Sequence, residues 1–246
     1  MVHGWGKQRR LQKLKRDNYF LILAMDHALS NGPIEGIESV NSVNNWIDFS
    51  QKQKIPAVVL NHRYIYNLDI FHETNIVVQT MGLTKSNKNI NKVPLTNIDD
   101  IQMVDGTAIS IQIDFQVDNL DEAIENISKI VSKANSYQYP VLFMVGNSDW
   151  EDADAFNYAI RVCTELGADL IKIHLPSNKD EIKKLKPFSK NEPPLLLAGG
   201  ADMETFKERL TVAKNLGFQG VCIGRNIFQT QTPLERLEMI DTVFKR

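Results

Sequence analysis

A lysine in the middle of an apolar strand is the residue of this sequence that most needs a chemical explanation. In the run Glu165-Leu166-Gly167-Ala168-Asp169-Leu170-Ile171-Lys172-Ile173-His174-Leu175, a helix end and a glycine turn lead into a strand pattern. Successive strand side chains point to opposite faces, so Leu170, Lys172 and His174 share one face and Ile171, Ile173 and Leu175 share another that is wholly apolar. Such a strand suits a barrel wall with helices outside and chemistry inside. A lysine taken out of water loses its proton more easily than its ordinary pKa of ~10.4 suggests, and the free amine attacks carbonyls. Lys172 is therefore a candidate Schiff-base lysine. The structural alternative is an interior lysine that is salt-bridged or snorkels from a strand end.

Other polar groups fall at strand ends. The run Tyr19 to Met25 stops at Asp26-His27, and parity puts Ile22, Ala24 and Asp26 on one face. Thr107 to Phe115 alternates, with Ile109, Ile111, Ile113 and Phe115 opposite Ser110, Gln112 and Asp114, as in a wall with a polar inner face. Gly199-Gly200 and Gly224-Arg225 follow two further apolar runs. At the last two strands of a barrel these positions bind phosphate, through backbone N–H groups and charge-assisted bonds from arginine. Each glycine pair could also simply turn the chain. His27, His62 and His174 could instead join Asp26 and Asp114 around a metal, but no HxH or HExxH spacing occurs and the lysine would then have no role, so no metal is expected.

The elements needed to hold these groups are legible as an alternation. Strands are predicted at 19–25, 57–60, 75–80, 107–115, 140–145, around Lys172, at 195–198 and at 220–223. Helices are predicted at 36–53, 118–135, 152–166, 179–185, 203–216 and 233–244. The Asn-, Lys-, Ser- and Thr-rich stretch 82–97 reads as a surface loop able to lie over a barrel mouth. Eight βα units in one (β/α)8 barrel account for residues 1–246 as a single domain, with a doubly wound open sheet as the competitor. The chain's 28 basic and 30 acidic residues leave a net charge of −2, which gives no reason to expect nucleic acid or an anionic membrane as partner. Cys163 and Cys222 show no CxxC spacing, which fits a reducing cytoplasm. No run approaches the ~20 apolar residues of a membrane span. Near the N-terminus, Lys7, Arg9, Arg10, Lys13, Lys15 and Arg16 suggest a short leading helix with Leu11 and Leu14 packed inward and its cations in water, or else an anion-binding patch.

Met25-Asp26-His27-Ala28, Asn31-Gly32-Pro33, Gly36, Gly167-Ala168-Asp169-Leu170-Ile171-Lys172, Ala198-Gly199-Gly200 and Ile223-Gly224-Arg225-Asn226-Ile227-Phe228-Gln229 resemble the archaeal-type class I fructose-bisphosphate aldolases over nearly the whole chain. That group includes related amino-dideoxy-heptulosonate and aminohydroxybenzoate-precursor synthases and an autoinducer-2 thiolase. The resemblance implies a cytoplasmic homo-oligomer without a cofactor that acts on a phosphorylated small molecule. Lys172 would form the Schiff base, Asp26 would transfer protons, and Gly199, Gly200, Gly224 and Arg225 would hold the phosphate. Members of the group usually carry Gly after Asp-His, where this chain has Ala28, and Tyr-Pro-Arg-Gly after the fifth strand, where it has Val145-Gly146-Asn147-Ser148. The tyrosine proton donor is thus missing, and His27, His174 or Asp114 would supply or relay the proton, or the reaction differs from ordinary aldol cleavage. Lysine-dependent acyl transfer and catalysis-free sugar-phosphate binding are the other readings.

Overall fold

The computed structural model describes residues 4–69, 74–83, 91–115, 117–146, 152–189, 191–199 and 205–245. Eight parallel strands form a closed barrel: β1 (Tyr19–Ala24), β2 (Ala57–Asn61), β3 (Asn75–Gln79), β4 (Ala108–Ile113), β5 (Val141–Val145), β6 (Leu170–Ile173), β7 (Leu195–Ala198) and β8 (Gly220–Ile223). Each pairs with the next in sequence, and β8 returns to β1 with Gly220 opposite Phe20 and Ile223 opposite Leu23. Closure leaves no sheet edge, so the open doubly wound alternative is excluded.

Strand parity sorts the core into two shells. Phe20, Ile22, Ala24, Val59, Val77, Leu142, Leu170 and Cys222 pack inside the barrel. Leu21, Leu23, Val58, Ile109, Ile111, Ile171 and Ile173 face the helices outside it. Those helices are amphipathic for the same reason: Leu120–Ser136 buries Ala123, Ile127, Val131 and Ala134, and Ala153–Glu165 buries Phe156, Ala159, Ile160 and Cys163. Among the described residues, no helix is long and apolar enough to cross a membrane.

The structure departs locally from the sequence reading in two places. The helix expected from Gly36 begins at Val40, because Ser39 and Ser42 form a reciprocal capping box that fixes its start. The stretch expected to be loop contains a short antiparallel pair, Met81–Gly82 against Val93–Pro94.

The N-terminal segment differs more. Its helix, Trp5–Gln12, leads Leu14 into the barrel interior, as expected, and Lys15–Arg16 pairs antiparallel with the start of β1. Its cations are not all in water, however. Lys7 is buried, and its Nζ lies 2.7 Å from Asp169 Oδ2, with the two side chains 6% and 2% exposed. The same carboxylate oxygen accepts the Val141 N–H at 2.9 Å, so one buried charge ties the N-terminal helix to the start of β5. Arg10 stacks its guanidinium over the Tyr139 ring at 4.5 Å, and Arg16 bonds Asp241 and the Gln53 carbonyl. Removing one member of a buried pair leaves the other charge uncompensated, at a typical cost of ~3–5 kcal/mol. Lys7→Met should therefore destabilise the chain by about that amount in urea unfolding. A change under ~0.5 kcal/mol would mean the contact is no stronger than a surface pair.

Candidate active site

The C-terminal ends of the strands gather most of the residues singled out from the sequence. Asp26 follows β1 on the inner face and is only 8% exposed. Its Oδ2 accepts a hydrogen bond from Gln79 Nε2 at 3.0 Å, and its backbone carbonyl accepts one from Asn61 Nδ2 at 3.0 Å, so β2 and β3 both hold it. Burial opposes its charge. Neighbouring His27, the Lys172 and Lys92 cations and the Gln79 bond outweigh that and hold the carboxyl below the ordinary range. Asp26 is thus a proton acceptor at neutral pH.

Lys172 lies on β6 where parity put it, with Leu170 on the inner face, and its Nζ approaches Met144 Sδ on β5 at 3.8 Å. Gln79 Nε2 lies 3.9 Å from the same sulfur, which links the Asp26 side of the mouth to the lysine side. His174, two residues beyond Lys172, is pushed down to about 3 by burial first and then by the Lys172, Arg209 and Arg225 cations. His27 is pushed down to about 4 by burial, which the Asp26 charge only partly offsets. Its ring meets the Phe228 ring edge-on, with centroids 5.8 Å apart. Both imidazoles are therefore neutral at pH 7 and hold no acidic proton to donate there.

Asp114 follows β4 at the mouth. Burial raises its carboxyl, against the opposing pull of Lys92 and a hydrogen bond from Gln112. Gly199 follows β7, and a Cβ there would lie 2.2 Å from Asn226 Oδ1, while a Cβ at Gly224 would lie 2.3 Å from the Ala24 carbonyl oxygen. Packing against backbone thus demands a missing side chain at Gly224, whereas a side chain at position 199 would first have to displace the Asn226 amide. Arg225 begins the single helical turn Arg225–Phe228 and acts electrostatically on both His27 and His174, which puts its charge at the same mouth. Gly200 lies outside the described residues.

His62 does not join this cluster. Its Nδ1 lies 3.2 Å from Thr96 Oγ1, and its ring packs edge-on against Tyr66. Among the described residues, no three His, Cys, Asp or Glu side chains are arranged to hold a metal ion.

Two site residues were not foreseen. Gln79 had a signal, since Asn75, Val77 and Gln79 share the inner face of β3 and a polar residue at a strand's C-terminal end is a site candidate. Lys92 had none. It lies in the stretch read as loop, yet its charge bears on Asp26, His27 and Asp114.

The profile of the DeoC/LacD family aldolases matches residues 20–230. The chain belongs to that family. Similar family relatives include the 3-hydroxy-5-phosphonooxypentane-2,4-dione thiolase of Enterobacter sp. strain 638, 27% identical over 97% of this chain and 81% of that one. The corresponding thiolase of Photorhabdus laumondii is 26% identical over 97% of this chain and 82% of its own. The fold is also that of solved aldolases. A crystal structure of an archaeal fructose 1,6-bisphosphate aldolase superposes with a TM-score of 0.83 at 18% identity, covering 97% of this chain and 98% of that one. An archaeal fructose-1,6-bisphosphate aldolase with its catalytic lysine covalently bound to the carbinolamine intermediate superposes at 0.82, also at 18% identity, covering 98% of this chain and all of the other.

Proposed function

We propose that this DeoC/LacD family member is a class I aldolase that makes or breaks a carbon–carbon bond of a phosphorylated ketose through a Schiff base on Lys172. The observation that carries the reading is the position of Lys172: an inward-facing amine at the mouth of the barrel, within the field of a buried, ionised Asp26. The unprotonated amine adds to the substrate carbonyl, and loss of water gives an iminium. That cation accepts the electron pair of the adjacent C–C bond as the distal hydroxyl is deprotonated, which releases an aldehyde and leaves an enamine. Protonation of the enamine and hydrolysis return the lysine. Asp26 is placed to move protons at nitrogen during addition and dehydration. The phosphate would rest near Gly199, Gly200, Gly224 and Arg225, and the charge of Arg225 at the mouth supports this.

A second reading has its own support in the relatives' names: cleavage of a phosphorylated dione with transfer of the acyl group to a thiol. Incubation with dihydroxyacetone phosphate and a panel of aldehydes, and separately with a phosphorylated diketone with and without coenzyme A, distinguishes the two. Aldol product formed without the thiol supports the aldolase. A thioester formed only from a diketone and coenzyme A overturns it in favour of the thiolase.

The phosphate assignment is checked by Arg225→Ala. It should weaken binding of phosphorylated substrate by about 1.5–3 kcal/mol, the range for a hydrogen bond to a charged group, and leave unphosphorylated analogues nearly unaffected. Equal losses for both would make Arg225 a structural residue.

A further inference from the structure

The proposed reaction needs a proton donor and acceptor for the bond-breaking step, and the phenol implied by the family resemblance is missing. We propose that Asp114 carries that proton, that Gly146 makes the room for it, and that Lys92 is the positioning residue that sets its charge. This inference rests on the aldolase reading above.

Parity continues along β5 so that Leu142, Met144 and then position 146 point inward. Position 146 is glycine, and a Cβ built there would lie 1.7 Å from Asp114 Oδ1 and 2.7 Å from Gln112 Nε2. The Asp114 carboxylate therefore fills the volume into which a side chain from the end of β5 would project. Asp114 is held there by its backbone: its N–H donates to Asn91 Oδ1 at 2.7 Å, and its carbonyl accepts from Asn91 Nδ2 at 3.1 Å. Asn91 is itself 1% exposed, and its N–H donates to Asn119 Oδ1 at 2.7 Å. On the other side of Lys92, Val93 pairs with Gly82. Residue 92 is clamped between these two anchors.

Among the described residues, Lys92 shares the mouth with Asp26 and His27 after β1, Asp114 after β4 and Lys172 on β6. Burial drives the Lys92 ammonium down and the Asp114 carboxyl up, which brings the two groups closer in proton affinity. His27 and His174, both neutral at pH 7, are poorer proton donors.

In the cleavage direction, an Asp114 oxygen takes the proton of the distal hydroxyl as the C–C electron pair moves into the iminium, and the aldehyde leaves. The resulting carboxylic acid then returns that proton to the enamine carbon and regenerates the iminium, so one proton is borrowed and one returned. The water released when the iminium forms is replaced when it is hydrolysed, and no other reactant is required. The Lys92 ammonium keeps Asp114 ionised at the start of this cycle. Without it, the carboxyl would already be protonated at higher pH.

The test is the pH profile of kcat/KM, read beside borohydride trapping of dihydroxyacetone phosphate on Lys172. Lys92→Met should move the acid limb of the profile upward by roughly one to three pH units, because the opposite charge that favours the carboxylate is gone. Lys92→Arg should return the limb towards its original place. Asp114→Asn should lower turnover about 100-fold or more, in the range of a lost general acid–base group, while trapping persists. Gly146→Ala should mimic Asp114→Asn by displacing the carboxylate. An acid limb that stays in place in Lys92→Met, or loss of trapping in a folded Lys92→Met, would overturn the proposal. Absence of trapping in the unsubstituted chain would instead overturn the Schiff-base reading itself.

Discussion

Lys172→Arg should leave the barrel folded and abolish both turnover and covalent trapping. If Lys172 attacks a ketone, dihydroxyacetone phosphate and borohydride together should reduce the imine to a stable secondary amine and add the ligand's mass to the peptide that contains Lys172. Arginine keeps the positive charge facing Asp26 and Met144 but remains protonated, so it cannot form the imine. The expected loss in kcat is about 10⁴-fold or more, as for removal of a covalent nucleophile. Lys172→Met separates chemistry from support. A purely structural cation would, on removal, change stability and leave activity in place, whereas a nucleophile would take activity with it. Trapping on another lysine, Lys92 included, or activity that survives Lys172→Arg, would sink the mechanism proposed for Lys172.

How much of this site could be read beforehand follows from how each residue is positioned. Asp26, Asp114, Lys172 and His174 are carried by strands whose apolar neighbours alternate, so parity alone gave their face; Leu170 with Lys172, and Ile22 and Ala24 with Asp26, sit inside as expected. Strand limits were legible to within two residues, because each apolar run is bounded by polar or turn residues. Lys92 was not legible, because its place depends on Asn91 reaching the backbone of Asp114, a side-chain bond without periodicity. Lys7 failed for a related reason. It looked like one of several solvated cations until folding brought it to a carboxylate 162 residues away. The glycines were only half legible: Gly199 and Gly224 do follow β7 and β8, but their first neighbours are Asn226 and the Ala24 carbonyl.

Stability should fall steeply as the solution is acidified from pH 7 to pH 4. His27 and His174 are held neutral in the folded chain, at about 4 and about 3, whereas in the unfolded chain both take up a proton near the ordinary value of ~6.5. Below that value the unfolded state binds more protons than the native one, so the free energy of unfolding decreases with falling pH, by up to about 1.4 kcal/mol per pH unit for each imidazole. The loss from His27 is complete near pH 4, while that from His174 continues to about 3. Asp26, held below the ordinary carboxylate range, adds a loss of the same sign at the acid end, and Asp114, raised by burial, works against it. Two imidazoles titrating together outweigh the one carboxyl, because each group changes the slope by at most about 1.4 kcal/mol per pH unit. Urea unfolding at pH 7, 6, 5 and 4.5 should show the slope appearing below about 6.5, and His174→Gln should make it shallower. A flat profile from pH 7 to 5 would mean that the imidazoles reach water in the folded chain. They would then be available as imidazolium donors, and the need for Asp114 and Lys92 in the proton step would disappear.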